Sequence, residues 1–433
     1  MLLLHISDIN FRDPECLGIY PDRPFRTLLQ NDIRALLRRL SAPLDAILVT
    51  GDIAYRAAAL EFNAAEAWLD QMALEFGHPR RASVFVVPGN HDVDRGQCRQ
   101  QIDVRNVQRV IRSCQTIPDM ERELRAQLGD AATSHSILKP IETYNDFAAK
   151  FDCNLFAPQK IHWTHDLPMD HRVLLRLHGL NSTLLSGYQG ENDERGHLYL
   201  SAYQTAFNPE EGVVNAVLAH HPPDWCRDND DIEDAMTSRA QLHFFGHKHR
   251  QRITQEDRYV RYSAGAVNPD RHEPGWEPGY NLLQLAIDVR GTERWLVVDS
   301  HVRTLRTGDQ HFDYRRPGPG IDCHSKAFRI PGHYVRQEEV RLNARPADPV
   351  PRPDGMLQDA VVPESVRDRD LVFRFWALTM SQRRDIARAL NLLEPGEMQT
   401  PEAERYGRAL LRAKERGLVD RLSEEITKRE GTQ

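Results

Sequence analysis

Acidic, amide and imidazole side chains recur where short apolar runs of this chain end. Leu2–Ile6 runs into Ser7 and Asp8, with Asn10 two residues on. Ala46–Val49 runs into Thr50-Gly51-Asp52, and residues 84–87 run into Pro88-Gly89-Asn90-His91-Asp92. Val213–Ala219 ends at His220-His221-Pro222-Pro223, and Leu242–Phe245 ends at Gly246-His247-Lys248-His249. Each fragment alone is weak, because a Gly-Asp or a Gly-His-x-His arises by chance. Five in succession, each closing an apolar run, form a set. Two divalent cations held ~3.5–4 Å apart need such a set: nitrogen and oxygen ligands from several elements and one carboxylate able to bridge. Paired cations suit an anionic ester, which repels hydroxide. They neutralise its oxygens and lower the pKa of water toward neutrality, and a nearby imidazole can then act as the general acid.

The elements that would position these residues are legible. Runs of four to seven apolar residues rich in Val and Ile, closed by Gly or Pro, predict buried strands. Between the first three lie helical patterns. Residues 25–40 carry Leu28, Leu29, Ile33, Leu36, Leu37 and Leu40 at helical spacing, and residues 61–76 carry Phe62, Ala65, Trp68, Leu69 and Met72. Strand–helix–strand alternation predicts an α/β sheet with functional loops at the strand ends. Further along, residues 282–289 and 295–298 around Arg290-Gly291-Thr292 predict a hairpin.

Asp8-Ile9-Asn10, Gly51-Asp52, Gly89-Asn90-His91-Asp92, His220 and Gly246-His247-Lys248-His249 together resemble the calcineurin-like metallophosphoesterases over about residues 1–300. The resemblance implies a four-layer α/β/β/α sandwich with two transition-metal ions (manganese, iron or zinc, manganese favoured) at the strand ends. By that resemblance Asp8 and His249 hold the first ion and Asp52 bridges both. Asn90, His220 and His247 hold the second. His91 contacts the phosphate or protonates the leaving oxygen, with Asp92 orienting it. His221 is an alternative to His220. His5, inside a strand, is expected to be a core histidine, and Lys248 to point to solvent. Asp94 and Arg95 either reach substrate or pair in solvent. Arg271 and His272 either contact phosphate or scaffold a Gly/Pro-rich loop.

The family's first motif reads Asp-x-His, whereas position 10 here is Asn. An amide oxygen is a poorer transition-metal ligand than imidazole, so the first position is expected to be weakened and turnover reduced. Three readings compete: a natural change that leaves activity, a degenerate fold that only binds or scaffolds, and a deliberate replacement. Because every other ligand is present, a recent or deliberate single change is favoured over drift.

The chain has 433 residues, with a net charge of −7. That size allows one large core and a smaller second domain, and the charge argues against a protein that coats nucleic acid non-specifically. Its six cysteines are scattered without a Cys-x-x-Cys pair, which predicts a reducing, cytoplasmic setting. No signal peptide or 18-residue apolar run is present, so no membrane segment is expected. An excess of Arg over Lys, 49 to 7, points to a bacterial source.

Domain boundaries follow composition. Residues 1–330 form the predicted phosphoesterase domain. Residues 97–160, polar and helical in pattern, are expected to form an inserted cap, and its size leans the substrate toward phosphodiesters of nucleotides or nucleic acid. Arg99, Arg105, Arg109 and Arg112 would suit a nuclease groove, although a solvated helix face is the plainer reading. Residues 331–364 form a Pro-rich linker, with Pro346, Pro349, Pro351, Pro353 and Pro363. Residues 365–433 predict a small helical domain, with Thr400-Pro401 as a helix start after Pro395-Gly396. It loosely resembles the death-like adaptor domains that bacteria append to conflict effectors. The resemblance implies a protein partner and a role in antiviral defence; packing on the catalytic domain is the alternative.

Overall fold

The computed structural model describes residues 1–12, 23–130, 133–268, 278–306 and 310–332, then 371, 374–376, 378, 380–394, 397 and 402–430. Two compact units are distinguished, Met1–Gly332 and His333–Gln433. In the first, β1 (Leu2–Ile6), β2 (Ala46–Val49) and β3 (Ser83–Val86) run parallel, connected through α1 (Arg23–Leu40) and α2 (Ala59–Phe76). Burial on both faces explains why these strands read as continuous apolar runs rather than alternating ones. Five helices follow: α3 (Arg95–Gln100), α4 (Ile102–Ser113), α5 (Ile117–Gly129), α6 (Ser134–Leu138) and α7 (Glu142–Ala148). Then come β4 (Trp163–Met169), β5 (Val173–Gly179), β6 (Val213–Ala219), α8 (Asn229–Arg239), β7 (Leu242–Phe245), β8 (Arg252–Gln255) and β9 (Val260–Ser263). The unit ends with β10 (Gly279–Arg290), β11 (Glu293–Arg306), β12 (His311–Tyr314) and β13 (His324–Ile330).

These strands make two sheets. The seven-stranded sheet has the order β12-β11-β10-β1-β2-β3, with β13 also paired to β11; the six-stranded sheet has the order β4-β5-β6-β7-β9-β8. They face each other. His5 of β1 meets Phe244 of β7 edge-on at 5.0 Å, Tyr262 of β9 bonds Ser300 of β11 at 2.7 Å, and the Trp163 indole of β4 donates to the Val86 carbonyl at 2.9 Å. Helices close the outer faces. Asp32 on α1 accepts from Tyr280 at 2.6 Å and from Arg303 Nε at 2.9 Å, which ties α1 to β10 and β11. On the other side Ile232 and Met236 of α8 pack with Val217, Ala219 and Phe245. The result is a four-layer α/β/β/α sandwich. The expected hairpin is present and longer than predicted, with Arg290 opposite Glu293 across Gly291.

Helices α3–α7 occupy the segment predicted as an insert. Val104, Val107 and Ile111 of α4 are buried, while Arg105 and Arg109 are exposed. Arg105 and Arg109 thus lie on the solvated face of an amphipathic helix, whereas Arg112 is half-buried over the Tyr188 ring and Arg99 belongs to α3. Gln108 donates to the Ser186 carbonyl and Phe147 of α7 meets Phe62 of α2, so the segment packs on the 180–204 region and on α2.

The C-terminal unit carries helices Met380–Ala389, Glu402–Glu415 and Val419–Glu430. Phe375, Leu378, Ile386, Leu390, Tyr406, Leu422 and Ile426 form a core of its own. Residues 343–363, with their prolines, Pro395-Gly396 and Thr400-Pro401 lie outside the described residues. So do Arg271 and His272. Among the described residues no helix is long and apolar enough to cross a membrane, and the described cysteines are all free.

Candidate metal centre

Asp8 and Asn10 follow β1, Asp52 follows β2, and Asn90 and His91 follow β3. His220 and His221 follow β6, and His247 and His249 follow β7. The loops that carry them are unusual in their backbone. Asp8, Asn10, Asp52, His247 and His249 have φ of 53, 49, 51, 65 and 50°. The left-handed region costs ~1–3 kcal/mol per non-glycine residue and persists only where surrounding structure holds it. Here the loops after β1 and β2 hold each other: Asp8 N–H donates to Gly51 O at 3.0 Å, Asn10 N–H to Asp52 O at 2.9 Å and Phe11 N–H to Ile53 O at 2.8 Å. The approach is close enough that a Cβ at Gly89 would collide with the Asp52 carboxylate, and one at Gly246 with Ser7 and Asp8.

Two groups of ligand atoms result, each within 4.8 Å: Asp8, Asp52 and His220, and His220, His221 and His247. Across the seam between the sheets, His249 Nε2 lies 3.0 Å from Asp8 Oδ1 and His220 Nε2 lies 3.3 Å from Asp52 Oδ2. Asn90 Oδ1 stands 3.1 Å from each of His220 Nε2, His221 Nε2 and His247 Nδ1. The two adjacent histidines differ in how they are held. His220 Nδ1 is 2.7 Å from the Thr50 carbonyl, which can only accept, so Nδ1 donates there and Nε2 is the nitrogen turned toward Asn90 and Asp52. His221 Nδ1 meets the Ser182 hydroxyl at 2.9 Å, a group that can donate or accept.

Charge in the cluster is unbalanced toward the carboxylates. Burial alone would raise Asp8, but His249 outweighs it and holds its carboxyl below the usual range. Burial would likewise lower His220, yet Asp52 and Asp8 lift it to about 9. His247, buried and facing His220, falls to about 3. Two buried carboxylates need positive charge beside them, and neutral imidazoles with buried carboxylates form a donor set that fits divalent cations. Asn10 fits the same description. Its Nδ2 is 3.4 Å from the Asn268 carbonyl, and its Oδ1 is buried with no partner among the described residues.

His91 stands beside the cluster. Its backbone N–H donates to Asp52 Oδ1 at 2.8 Å, its Nδ1 donates to the Tyr55 carbonyl at 2.9 Å, and its ring stacks on Tyr55. The expectation that Asp92 orients His91 is corrected here. Asp92 is buried and accepts from the backbone N–H groups of Ile53, Ala54 and Gly89 at 2.8–3.0 Å. It clamps the loops after β2 and β3 together, and burial together with Asp52 pushes it up to about 7. The residue that holds the His91 ring is Tyr55, through a carbonyl for which sequence carries no signal. Lys248 is also corrected: it does not simply reach into solvent but pairs with Asp224 at 2.8 Å, which Arg195 meets at 2.7 Å. His5 is a core histidine as expected, bonded to Thr50 Oγ1 at 3.0 Å.

His91 borders two clefts. A larger one of about 630 Å³ is lined by Asp52, Asn90, His247 and His249 with Arg195, Lys248, Arg250 and Arg252. A smaller one of about 360 Å³ has Tyr55, Arg56, Asp94 and Arg95. Asp94 caps α3 by accepting from Gln97 N–H, and Arg95 donates to Asn192 at 2.6 Å.

The family model for calcineurin-like phosphoesterases matches residues 1–251. The chain belongs to that family. Residues 367–428 match a second family, the GTPase-associated adaptor domain. No curated protein matches the chain. Similar solved structures include wild-type Vps29 from Entamoeba histolytica complexed with Zn²⁺, at 11% identity over 77% of this chain and 100% of that one, TM-score 0.27. Another is GAP50, the anchor in the inner membrane complex of Plasmodium, at 8% identity over 72% of this chain and 88% of that one, TM-score 0.36. A third is a Streptococcus pneumoniae protein described as a predicted phosphoesterase, at 11% identity over 76% and 97%, TM-score 0.26. Scores this low add nothing to what the two sheets already establish. The calcineurin-like phosphoesterase is a metal-dependent hydrolase by family, and its C-terminal helices match an adaptor domain suited to protein interaction.

Proposed function

We propose that this calcineurin-like phosphoesterase is a cytoplasmic phosphodiesterase acting on nucleotides or nucleic acid. The observation that carries the reading is the meeting of Asp8, Asp52, Asn90, His220, His247 and His249 from five strand ends at the floor of a cleft walled by arginines. Asp8, Asn10 and His249 would hold a first divalent cation, Asn90, His220 and His247 a second, and Asp52 both, with manganese favoured. When bound, such cations neutralise phosphate oxygens and lower the pKa of water. The chain's own groups do the rest. Arg250 and Arg252 attract the phosphate backbone, and a diester flanked by further phosphates uses that wall better than a lone monoester. His91, with Nδ1 committed to the Tyr55 carbonyl, gives or takes its proton at Nε2 and protonates the leaving oxygen. The adaptor-like tail recruits a protein partner, as an effector in bacterial antiviral defence would require.

Turnover of bis-p-nitrophenyl phosphate, cyclic nucleotides and single- and double-stranded DNA by the full chain with manganese tests the reaction. His91→Ala is expected to lower kcat ~10²–10⁴-fold while metal content stays the same. Failure of both the chain and its Asn10→His variant to turn over any diester would leave a binding or scaffold protein. Co-purification of a partner with the full chain, lost on deletion of residues 365–433, tests the tail.

A further inference from the structure

We infer that the two halves of this centre select different metals: Asn10 makes the first an oxygen site for a hard cation, magnesium or manganese, and leaves the second as the only position suited to zinc-like ions. The inference rests on the dinuclear reading above and deepens it.

The orientation of Asn10 comes first. The atom 3.4 Å from Asn268 must be the amide nitrogen, because the Asn268 oxygen is a carbonyl and only accepts. Flipping the amide would set oxygen against oxygen. The Asn10 oxygen is therefore the atom left buried and without a partner among the described residues. An unpaired buried amide oxygen costs ~1–3 kcal/mol, and a cation beside it would remove that cost. The Asn10 backbone is tied to that of the residue both halves share, since the Asn10 N–H donates to the Asp52 main-chain carbonyl at 2.9 Å. The left-handed backbone at position 10, φ 49°, is one that Asn adopts more readily than most residues.

The donor count then separates the two halves. The first offers carboxylate oxygens of Asp8 and Asp52 and the amide oxygen of Asn10, with His249 as its one nitrogen. The second offers imidazole nitrogens of His220 and His247, with His221 close by, beside the shared Asp52 carboxylate and one amide oxygen of Asn90. Carboxylate and carbonyl oxygens suit magnesium and manganese, whereas imidazole suits zinc, iron and nickel. A histidine at position 10 would give the first half a second imidazole and erase the contrast. Asn10 therefore changes which metal the first position takes, in addition to how tightly it holds one.

The test is metal binding by the full chain, stripped with chelator and checked for unchanged circular dichroism. Zinc, manganese and magnesium are titrated separately, and bound metal per chain is read by mass spectrometry with manganese also followed by electron paramagnetic resonance. The expected result is one tight zinc, with a second zinc ~10–100-fold weaker, and manganese filling both positions. Asn10→His is expected to bind two zinc ions with similar affinity. Asn10→Asp, which keeps an oxygen donor, is expected to retain manganese at the first position and still to discriminate against zinc there. Two equally tight zinc ions in the unaltered chain would overturn the inference while leaving the dinuclear reading intact. No metal bound by the unaltered chain or by Asn10→His would overturn both.

Discussion

The two sheets bring opposite chemistry to their seam. The loops of the seven-stranded sheet supply Asp8, Asn10, Asp52 and Asn90, whose side chains offer oxygen to a cation. The loops of the six-stranded sheet supply His220, His221, His247 and His249, which offer only nitrogen. The two sides are also held differently. Left-handed residues occur on both sides, but the oxygen side is locked by backbone bonds between the loops after β1 and β2. On the nitrogen side, two of the rings are fixed by what their second nitrogen touches: Thr50 for His220 and Ser182 for His221. Neither sheet alone makes a site. The contacts of Asp8 with His249 and of Asp52 with His220 cross the seam, so the centre reports whether the sheets are correctly packed. A histidine at position 10 would break this division of labour, and its absence here makes the division complete among the ligands considered.

The strongest way to break the comparison is to remove the oxygen that both halves share. Asp52→Ala also deprives the His91 backbone N–H of its acceptor. Both ions should be lost, and diester turnover should fall by more than the ~10²–10³-fold seen on deleting one preorganised donor. A variant that keeps one tightly bound ion and a tenth of its activity would show that the two halves are independent.

The oxygen side was largely readable from sequence, and for a physical reason. Left-handed turns at strand ends favour Gly, Asp or Asn, and Gly51-Asp52 is such a turn, whereas Gly89 is extended and is glycine because a Cβ there would meet the Asp52 carboxylate; both pairs carry conformation and chemistry in the same letters. Both strands and helices around them were legible because burial on two faces and on one face leave different periodicities. The supports were not legible. Tyr55 and Thr50 act through carbonyls, which every residue has, so nothing in their side chains advertises the role. Asp92 reads from sequence as a partner of its neighbour His91, whereas the fold turns its carboxylate toward three backbone N–H groups instead. Lys248, between His247 and His249, pairs with Asp224, which lies 24 positions away; sequence spacing has no means to show that.

Acid should tell the two sheets apart next. The six-stranded sheet buries His178 and His243, and the seven-stranded sheet buries His5 and His301. Burial, only partly offset by the bond to Asn215, lowers His178 from 6.5 to about 4. A depressed folded value means that the unfolded chain binds the proton more readily, so the stabilising contribution is complete above pH 6.5 and is lost as pH falls toward 4. For His178 the loss amounts to ~3 kcal/mol across that window. Urea unfolding of the full chain between pH 4.5 and 7.5 should show stability rising with pH, with a smaller slope in His178→Gln. Equal slopes would show that His178 takes up its proton as readily in the folded six-stranded sheet as in the unfolded chain.

The smallest expected effect concerns the two adjacent histidines. Ser182 accepts from the His221 backbone N–H at 3.2 Å and meets its Nδ1 at 2.9 Å. Ser182→Ala leaves two buried polar groups without that partner and should cost ~1–3 kcal/mol of stability, read as a lowered urea midpoint. Metal affinity should not change with it. His220 turns Nε2 to the centre because Thr50 accepts from its Nδ1, and that arrangement is untouched by the substitution. If His221 is the true ligand, loss of the hydroxyl frees its ring and the second ion should weaken ~10–100-fold. The same variant therefore measures a packing cost in one assay and, in the other, decides which nitrogen the six-stranded sheet contributes.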